Sequence, residues 1–276
     1  MSPASADHGT YRGRMADHLK QRPGAPQGFF ATEAAGLTWL AEPRAVPVVE
    51  VLEVGEDFLR LERLEPARPS AADARTFGER MARLHDAGAE GFGASPSDTS
   101  WFGPLEDPFE VPTTVHEDFA TFWAEDRLRP LADHAARRLG SDGSEAVGRA
   151  IDAIAGGAFD GISGQGREQA SRVHGDLWSG NLMWTDQGGT LIDPSAHGGH
   201  RLEDLALLTL FGAPHLDEIL AGYEHAHPMP SGWREDLPAH LFFALLAHVV
   251  LFGGGYAAEA IGVAGDITRR ARELGG

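Results

Sequence analysis

The segment His174-Gly-Asp-Leu-Trp-Ser-Gly-Asn181 constrains this chain more than any other part of it. It sets an Asp and an Asn five residues apart, and twelve residues after the Asn the run Thr190-Leu-Ile-Asp-Pro194 ends an apolar strand on another carboxylate, Asp193. Between them, Leu182 to Ile192 reads as a hairpin turning at Asp186-Gln-Gly-Gly189, so the strand pair links Asn181 to Asp193. An Asp beside Gly or Pro is by itself an ordinary turn residue. The ordered set, with its hairpin, is what carries information.

Two oxygen ligands and a separate carboxylate suit phosphoryl transfer, which rests on positioning and electrostatics. Asp176 is placed to accept the proton of an attacking hydroxyl, and Asn181 and Asp193 to hold magnesium, a hard cation content with few protein oxygens. The phosphates then need a cation. The chain has a single lysine, Lys20, among 23 basic residues, and a compact ammonium is not interchangeable with a guanidinium fork at such a site. Glu33, thirteen residues later in a segment with helical spacing, is its expected partner.

Residues 10 to 21 read as a short hairpin turning near Ala16-Asp17, with Lys20 on its second strand. Phe29 to Leu40 follows as a helix, then Val46 to Glu53 and Asp57 to Leu64 as strands around Gly55-Glu56. After Glu65-Pro-Ala-Arg-Pro69 the pattern turns helical, which sets a boundary between residues 1–65 and 66–276. Helices are expected over Ala71 to Ala87, Val115 to Leu139, Ser144 to Ile154, Leu202 to Leu210, Leu216 to Tyr223, Pro238 to Phe252 and Tyr256 to Arg272. Residues 88 to 114, rich in Gly, Pro, Ser and Asp, read as a long surface loop. Phe119, Phe122 and Trp123 read as core. Asp204 is placed to brace the catalytic loop, and His197 and His200, lacking a third ligand, as polar loop residues. Ser179 lacks the flanking glycines of a nucleophile elbow.

A net charge of −18 argues against broad binding to nucleic acid or anionic membranes. The absence of cysteine excludes disulfides and thiolate metal sites. Leu241 to Phe252 is too short an apolar run to span a bilayer, which takes about 20 residues, and reads as a buried core helix. With no apolar leader at the start, the default expectation is a cytoplasmic protein, a monomer or homodimer.

With these residues assembled, the chain resembles the fructosamine kinase (ketosamine 3-kinase) family, a branch of the protein-kinase-like fold near the aminoglycoside and choline kinases. The likeness is carried by His174 to Asn181, Leu191-Ile-Asp-Pro-Ser195, Gly199-His-Arg-Leu-Glu-Asp-Leu-Ala206, Leu210-Phe-Gly212, Leu251-Phe-Gly-Gly-Gly-Tyr256 and the Phe29 to Leu37 helix. It implies an α+β, two-lobed protein-kinase-like fold with a small β-rich N-lobe and a mostly helical C-lobe. It also implies ATP-dependent phosphorylation of the sugar 3-hydroxyl of a ketosamine, with breakdown of the product releasing the amine. The matched residues are Asp176 as base, Asn181 and Asp193 on Mg2+, and Lys20 with Glu33 on the phosphates of ATP. The backbone of Glu62 to Leu64 is matched as the adenine hinge, and Trp178 and His174 lie beside the acceptor. Only 19 residues precede Lys20, with Gly9 and Gly13 the available glycines, so a reduced phosphate lid or a shortened start is expected. Two alternatives stay open. One is a kinase for another small-molecule hydroxyl, of the aminoglycoside or choline kinase type. The other is a nucleotide-binding pseudokinase, against which the retained Lys20, Asp176, Asn181 and Asp193 speak.

Overall fold

The computed structural model describes residues 17–275. The first half of the expected N-terminal hairpin lies outside them, so the structure begins on its second strand, β1 (Asp17–Gln21). Strand β3 (Phe58–Glu62) runs antiparallel between β1 and β2 (Val51–Val54), which gives a three-stranded sheet in the order β1-β3-β2. Register pairs Lys20 with Leu59, a fully buried residue, and so turns the ammonium to the covered face of the sheet. Helix α1 (Phe29–Ala41) lies on that face. Phe29, Phe30, Ala34 and Leu37 pack there with Val49, Leu59 and Leu61 into a small apolar core. Gly28 enters the helix at φ 83°, a left-handed conformation that costs glycine nothing.

The expected strand from Val46 is shorter than its apolar pattern. Residues 46 to 50 run alongside the large C-terminal core: Val48 bridges Leu191 in parallel, Val49 N–H donates to the Leu191 carbonyl at 3.1 Å, and Leu191 N–H to the Pro47 carbonyl at 2.9 Å. Leu40 and Val46 belong to that larger core. Arg172 adds a second clamp, its guanidinium 4.2 Å from the Trp39 ring and 2.9 Å from Glu42.

The C-terminal part is mainly helical. Helix α2 (Ala71–Asp86) starts at a capping box in which Ser70 and Asp73 satisfy each other's backbone N–H groups. It buries Phe77, Met81 and Leu84 against α6 (Leu216–Ala226) and the hairpin β7 (Leu182–Thr185)–β8 (Gly188–Leu191). The helix expected from Val115 begins at Phe119, because Asp118 caps it by accepting from Thr121 N–H at 2.8 Å. After α3 (Phe119–Thr121) it winds through a π-helical stretch, Phe122–Leu128, into α4 (Arg129–Ala155). Gly140, at φ 71°, breaks α4 where the sequence separated two helices. Helix α7 (Leu237–Phe252) is the expected core helix. Together with the turn before it, it is apolar enough by composition to cross a membrane, yet 61% of that window is buried inside the protein. Helix α8 (Ala257–Gly275) packs across α4 and α7.

Residues 88–114 are more than a surface loop. Phe92, Ala94, Phe102 and Val111 are buried, and the short strands β4 (Trp101–Phe102) and β5 (Phe109–Glu110) pair antiparallel. The Thr32 hydroxyl on α1 is 3.1 Å from the Thr99 carbonyl, and Arg22 reaches the Leu105 carbonyl, so this segment is tied to the N-terminal sheet and helix.

Candidate active site

The catalytic loop is held from beneath by one carboxylate. Asp204, on α5 (Leu202–Phe211), accepts from the backbone N–H of His174 at 2.8 Å and of Gly175 at 3.0 Å, and from His85 Nε2 at 3.1 Å. The other His85 nitrogen accepts from the Tyr223 hydroxyl at 2.8 Å, and that oxygen in turn accepts from Arg201 at 3.2 Å. Asp204 is wholly buried. Desolvation alone would raise its pKa, but the His85 contact and the loop N–H groups outweigh that and hold it below the ordinary carboxylate value. A buried anion with this many donors fixes the loop backbone, the bracing role that its sequence position suggested.

His174 faces inward, away from any acceptor. It is fully buried, its Nε2–H donates to the Ile192 carbonyl at 2.8 Å, and Nδ1 accepts from Asp176 N–H at 3.2 Å. Both nitrogens are spent in the neutral ring, and burial lowers its pKa. The expectation of a substrate contact is therefore replaced by a structural tie between the two ends of the loop. Gly175, at φ 81°, is required here: a Cβ would sit 2.2 Å from the Ser195 carbonyl and 2.8 Å from His197 Nδ1.

His197 and His200 also depart from the expectation of polar loop residues. His197 lies on β9 (His197–Gly199), paired with β6 (Ser171–Val173), and both histidines are buried. Its Nδ1 meets the Ser195 carbonyl at 2.8 Å and its Nε2 meets Glu203 Oε2 at 3.1 Å. His200 packs against His240 with ring centroids 4.2 Å apart and the planes tilted by 31°, and burial drives both pKa values down, His240 to about 3.

Above this base the expected residues converge. Asn181 donates from Nδ2 to the Asp176 carbonyl at 2.8 Å and to Asp176 Oδ2 at 2.9 Å, which leaves its Oδ1 as an oxygen ligand. Burial pushes the Asp176 carboxyl up to about 7, against the lowering effect of the Asn181 bond. Asp193 adopts φ 52°, a left-handed conformation that aspartate tolerates better than most residues. Its Oδ1 is 3.0 Å from Lys20 Nζ. Lys20 also donates to both Glu33 oxygens at 2.8 Å. Burial works against this ammonium, but the two carboxylates hold its pKa above the ordinary lysine value.

These groups line one wall of a cleft of about 560 Å³. Trp178, 40% exposed, continues the lining beside Asp176, and residues 101–105, Phe211, His248, Phe252 and Tyr256 are also part of it. The contribution of residues 101–105 was not legible, because their composition is that of a surface loop. Glu62 and Leu64 do not line this cleft.

A family model described as fructosamine kinase matches residues 15–269. The chain belongs to the fructosamine kinase family. A relative from Enterococcus faecium, described as a "Probable ketoamine kinase", is 31% identical over 247 residues, covering 87% of this chain and 83% of its own length. One from Thermus thermophilus with the same description is 32% identical over 245 residues, 88% of this chain and 84% of its own. Among solved structures, one described as a fructosamine-3-kinase from Thermobifida fusca superposes with a TM-score of 0.81 at 36% identity, covering 92% of this chain and 85% of the other. A gentamicin phosphotransferase complex shares the fold alone, with a TM-score of 0.60 at 10% identity, 90% of this chain and 84% of the other. The fold is thus protein-kinase-like, and the chain is a phosphotransferase of the ketosamine kinase type.

Proposed function

We propose that this chain transfers the terminal phosphoryl group of ATP to the sugar 3-hydroxyl of a ketosamine. The observation that carries this reading is the junction of Asp176, Asn181, Asp193, Lys20 and Glu33 at one cleft. The acceptor hydroxyl gives its proton to Asp176 as its oxygen bonds to the terminal phosphorus, and the bond to the departing ADP breaks. A carboxyl near 7 is well matched to that task. Lys20, oriented by Glu33, holds the phosphates. Leu64 offers a main-chain N–H without a protein partner among the described residues, suited to the adenine edge at the hinge from Glu62.

Mg2+ fits the donor set. Asn181 Oδ1 and the half-exposed Asp193 carboxylate are hard oxygens, and no group of three His, Cys, Asp or Glu that could hold an ion occurs among the described residues. Two protein oxygens suit an ion that arrives with phosphate ligands of its own. It would supply neutralisation of phosphate charge.

The aminoglycoside alternative calls for an acidic pocket. Here the carboxylates lining the cleft are Glu33, Asp176 and Asp193, and two of the three are already engaged by Lys20. The test is a coupled ADP assay across fructosyl and ribulosyl amines, kanamycin-type aminoglycosides and choline, with the phosphate position on the product read by NMR. The proposal expects turnover with the ketosamines and phosphorus coupling to the proton on carbon three. Turnover confined to the other acceptors, or phosphate on another hydroxyl, would contradict it.

A further inference from the structure

Five rings of the cleft lining form one connected cluster. Trp178 and Phe211 have centroids 6.0 Å apart, Phe211 and His248 5.5 Å, and His248 lies 5.3 Å from Phe252 and 5.0 Å from Tyr256. They come from four places in the chain: the catalytic loop, the end of α5, the last turn of α7 and the start of the segment leading into α8. Phe252 is 60% exposed and Phe211 41%, although both line a cavity. Apolar surface left open in this way marks a contact awaiting a ligand. The cluster itself contains no carboxylate: of those in the lining, Glu33 and Asp193 pair with Lys20, and Asp176 precedes Trp178 by two residues.

His248 gives the ring cluster a direction. Its Nδ1–H donates to the Ala244 carbonyl one helical turn back, at 2.6 Å. In the neutral ring that bond fixes the tautomer, so Nε2 carries the lone pair, and it has no protein partner among the described residues. An acceptor nitrogen among aromatic faces is suited to an ammonium that has shed most of its water. A hydrogen-bond donor is what the site asks for, and a positive charge is what the ring faces reward.

Resting on the ketosamine kinase reading, we infer that Trp178, Phe211, His248, Phe252 and Tyr256 form the subsite for the secondary ammonium of the substrate, His248 Nε2 accepting its N–H. On a ketosamine that nitrogen is borne by carbon one, two carbons from the carbon whose hydroxyl reacts. A hydroxyl at Asp176 therefore leaves the nitrogen on the Trp178 side. The same rings take the first carbons of the amine substituent, so a simple alkylamine suffices and a second charge on the substituent is not needed.

The experiment compares N-propyl fructosamine with its uncharged isostere, fructose carrying a propyl ether at carbon one. Both are assayed for kcat/KM with magnesium and ATP on the whole chain, on His248→Phe and on Phe252→Ala. The wild type should prefer the amine by about tenfold or more. His248→Phe, which keeps a ring of similar size but removes the acceptor nitrogen, should lower the amine-to-ether ratio severalfold through a rise in KM for the amine. Phe252→Ala, at an exposed position that the fold does not depend on, should lower the same ratio severalfold. A wild-type ratio of one overturns the subsite, and so does a ratio that survives both substitutions. Failure of both compounds as substrates overturns the kinase reading itself, an outcome distinct from equal use of the two.

Discussion

On the C-terminal wall of the cleft, Asp204 accepts from two loop N–H groups and a histidine, and a wholly buried relay through His85, Tyr223 and Arg201 stands behind it. On the N-terminal wall, among the described residues Lys20 is oriented by two carboxylates, Glu33 and Asp193, and its strand neighbour Leu19 is 45% exposed. The first arrangement fixes a backbone; the second fixes one side chain. The difference follows from the task. In the proposed transfer the proton acceptor has to be placed to a fraction of an ångström, whereas the phosphates would be held by a long flexible ammonium that adapts to them.

If that contrast is right, substitutions in the two walls should fail in different ways. Asp204→Ala should be the most damaging. It leaves two loop N–H groups and His85 without their acceptor, at about 4 kcal/mol, so urea unfolding should show a large drop in midpoint and activity should disappear with it. His197→Phe keeps the ring volume but takes one partner each from the Ser195 carbonyl and buried Glu203, which keeps the His200 N–H, at about 2 kcal/mol, with kcat falling more than KM rises. Lys20→Arg tests the other wall. KM for ATP should rise about tenfold with little change in melting temperature, since a wide fork replaces a point charge at a part-buried pair. A melting temperature lowered as far as that of Asp204→Ala would erase the contrast.

A smaller effect concerns pH. As the proposed base Asp176 has to be ionised, and its carboxyl is pushed up to about 7, so kcat/KM for the free enzyme should fall as pH drops through about 7. The same shift has a stability sign. Between the ordinary carboxyl value and about 7 the folded chain holds a proton that the unfolded chain releases, so this group favours the fold towards the acid end of that window and opposes it above. Asp176→Asn should therefore melt no lower than the wild type at pH 8, by calorimetry.

Much of the C-terminal wall was readable because it is local. Asp176, Asn181 and Asp193 lie within eighteen residues, joined by a hairpin whose glycines announce its turn. Lys20 and Glu33 were readable from a strand followed by a helix. What the sequence hid is of two kinds. Strands β6 and β9 are three residues each, too short for alternation to show, so the burial of His197 had no signal. The ring cluster and the inward turn of residues 101–105 depend on segments up to about 150 residues apart, and no periodicity within a segment reports on a partner that distant. His174 was misplaced for a related reason: a loop histidine next to a catalytic Asp gives no sign of whether it faces the cleft or the Ile192 carbonyl.

The central claim is that Asp176 is the base of a kinase acting on ketosamines, held ready by Asn181 and Asp204. The most direct measurement is steady-state ADP formation by Asp176→Asn against wild type, at saturating ATP and magnesium with N-propyl fructosamine as acceptor. A loss in kcat of about a hundredfold to ten-thousandfold with the fold intact is expected; turnover at the wild-type rate would rule out Asp176 as the base.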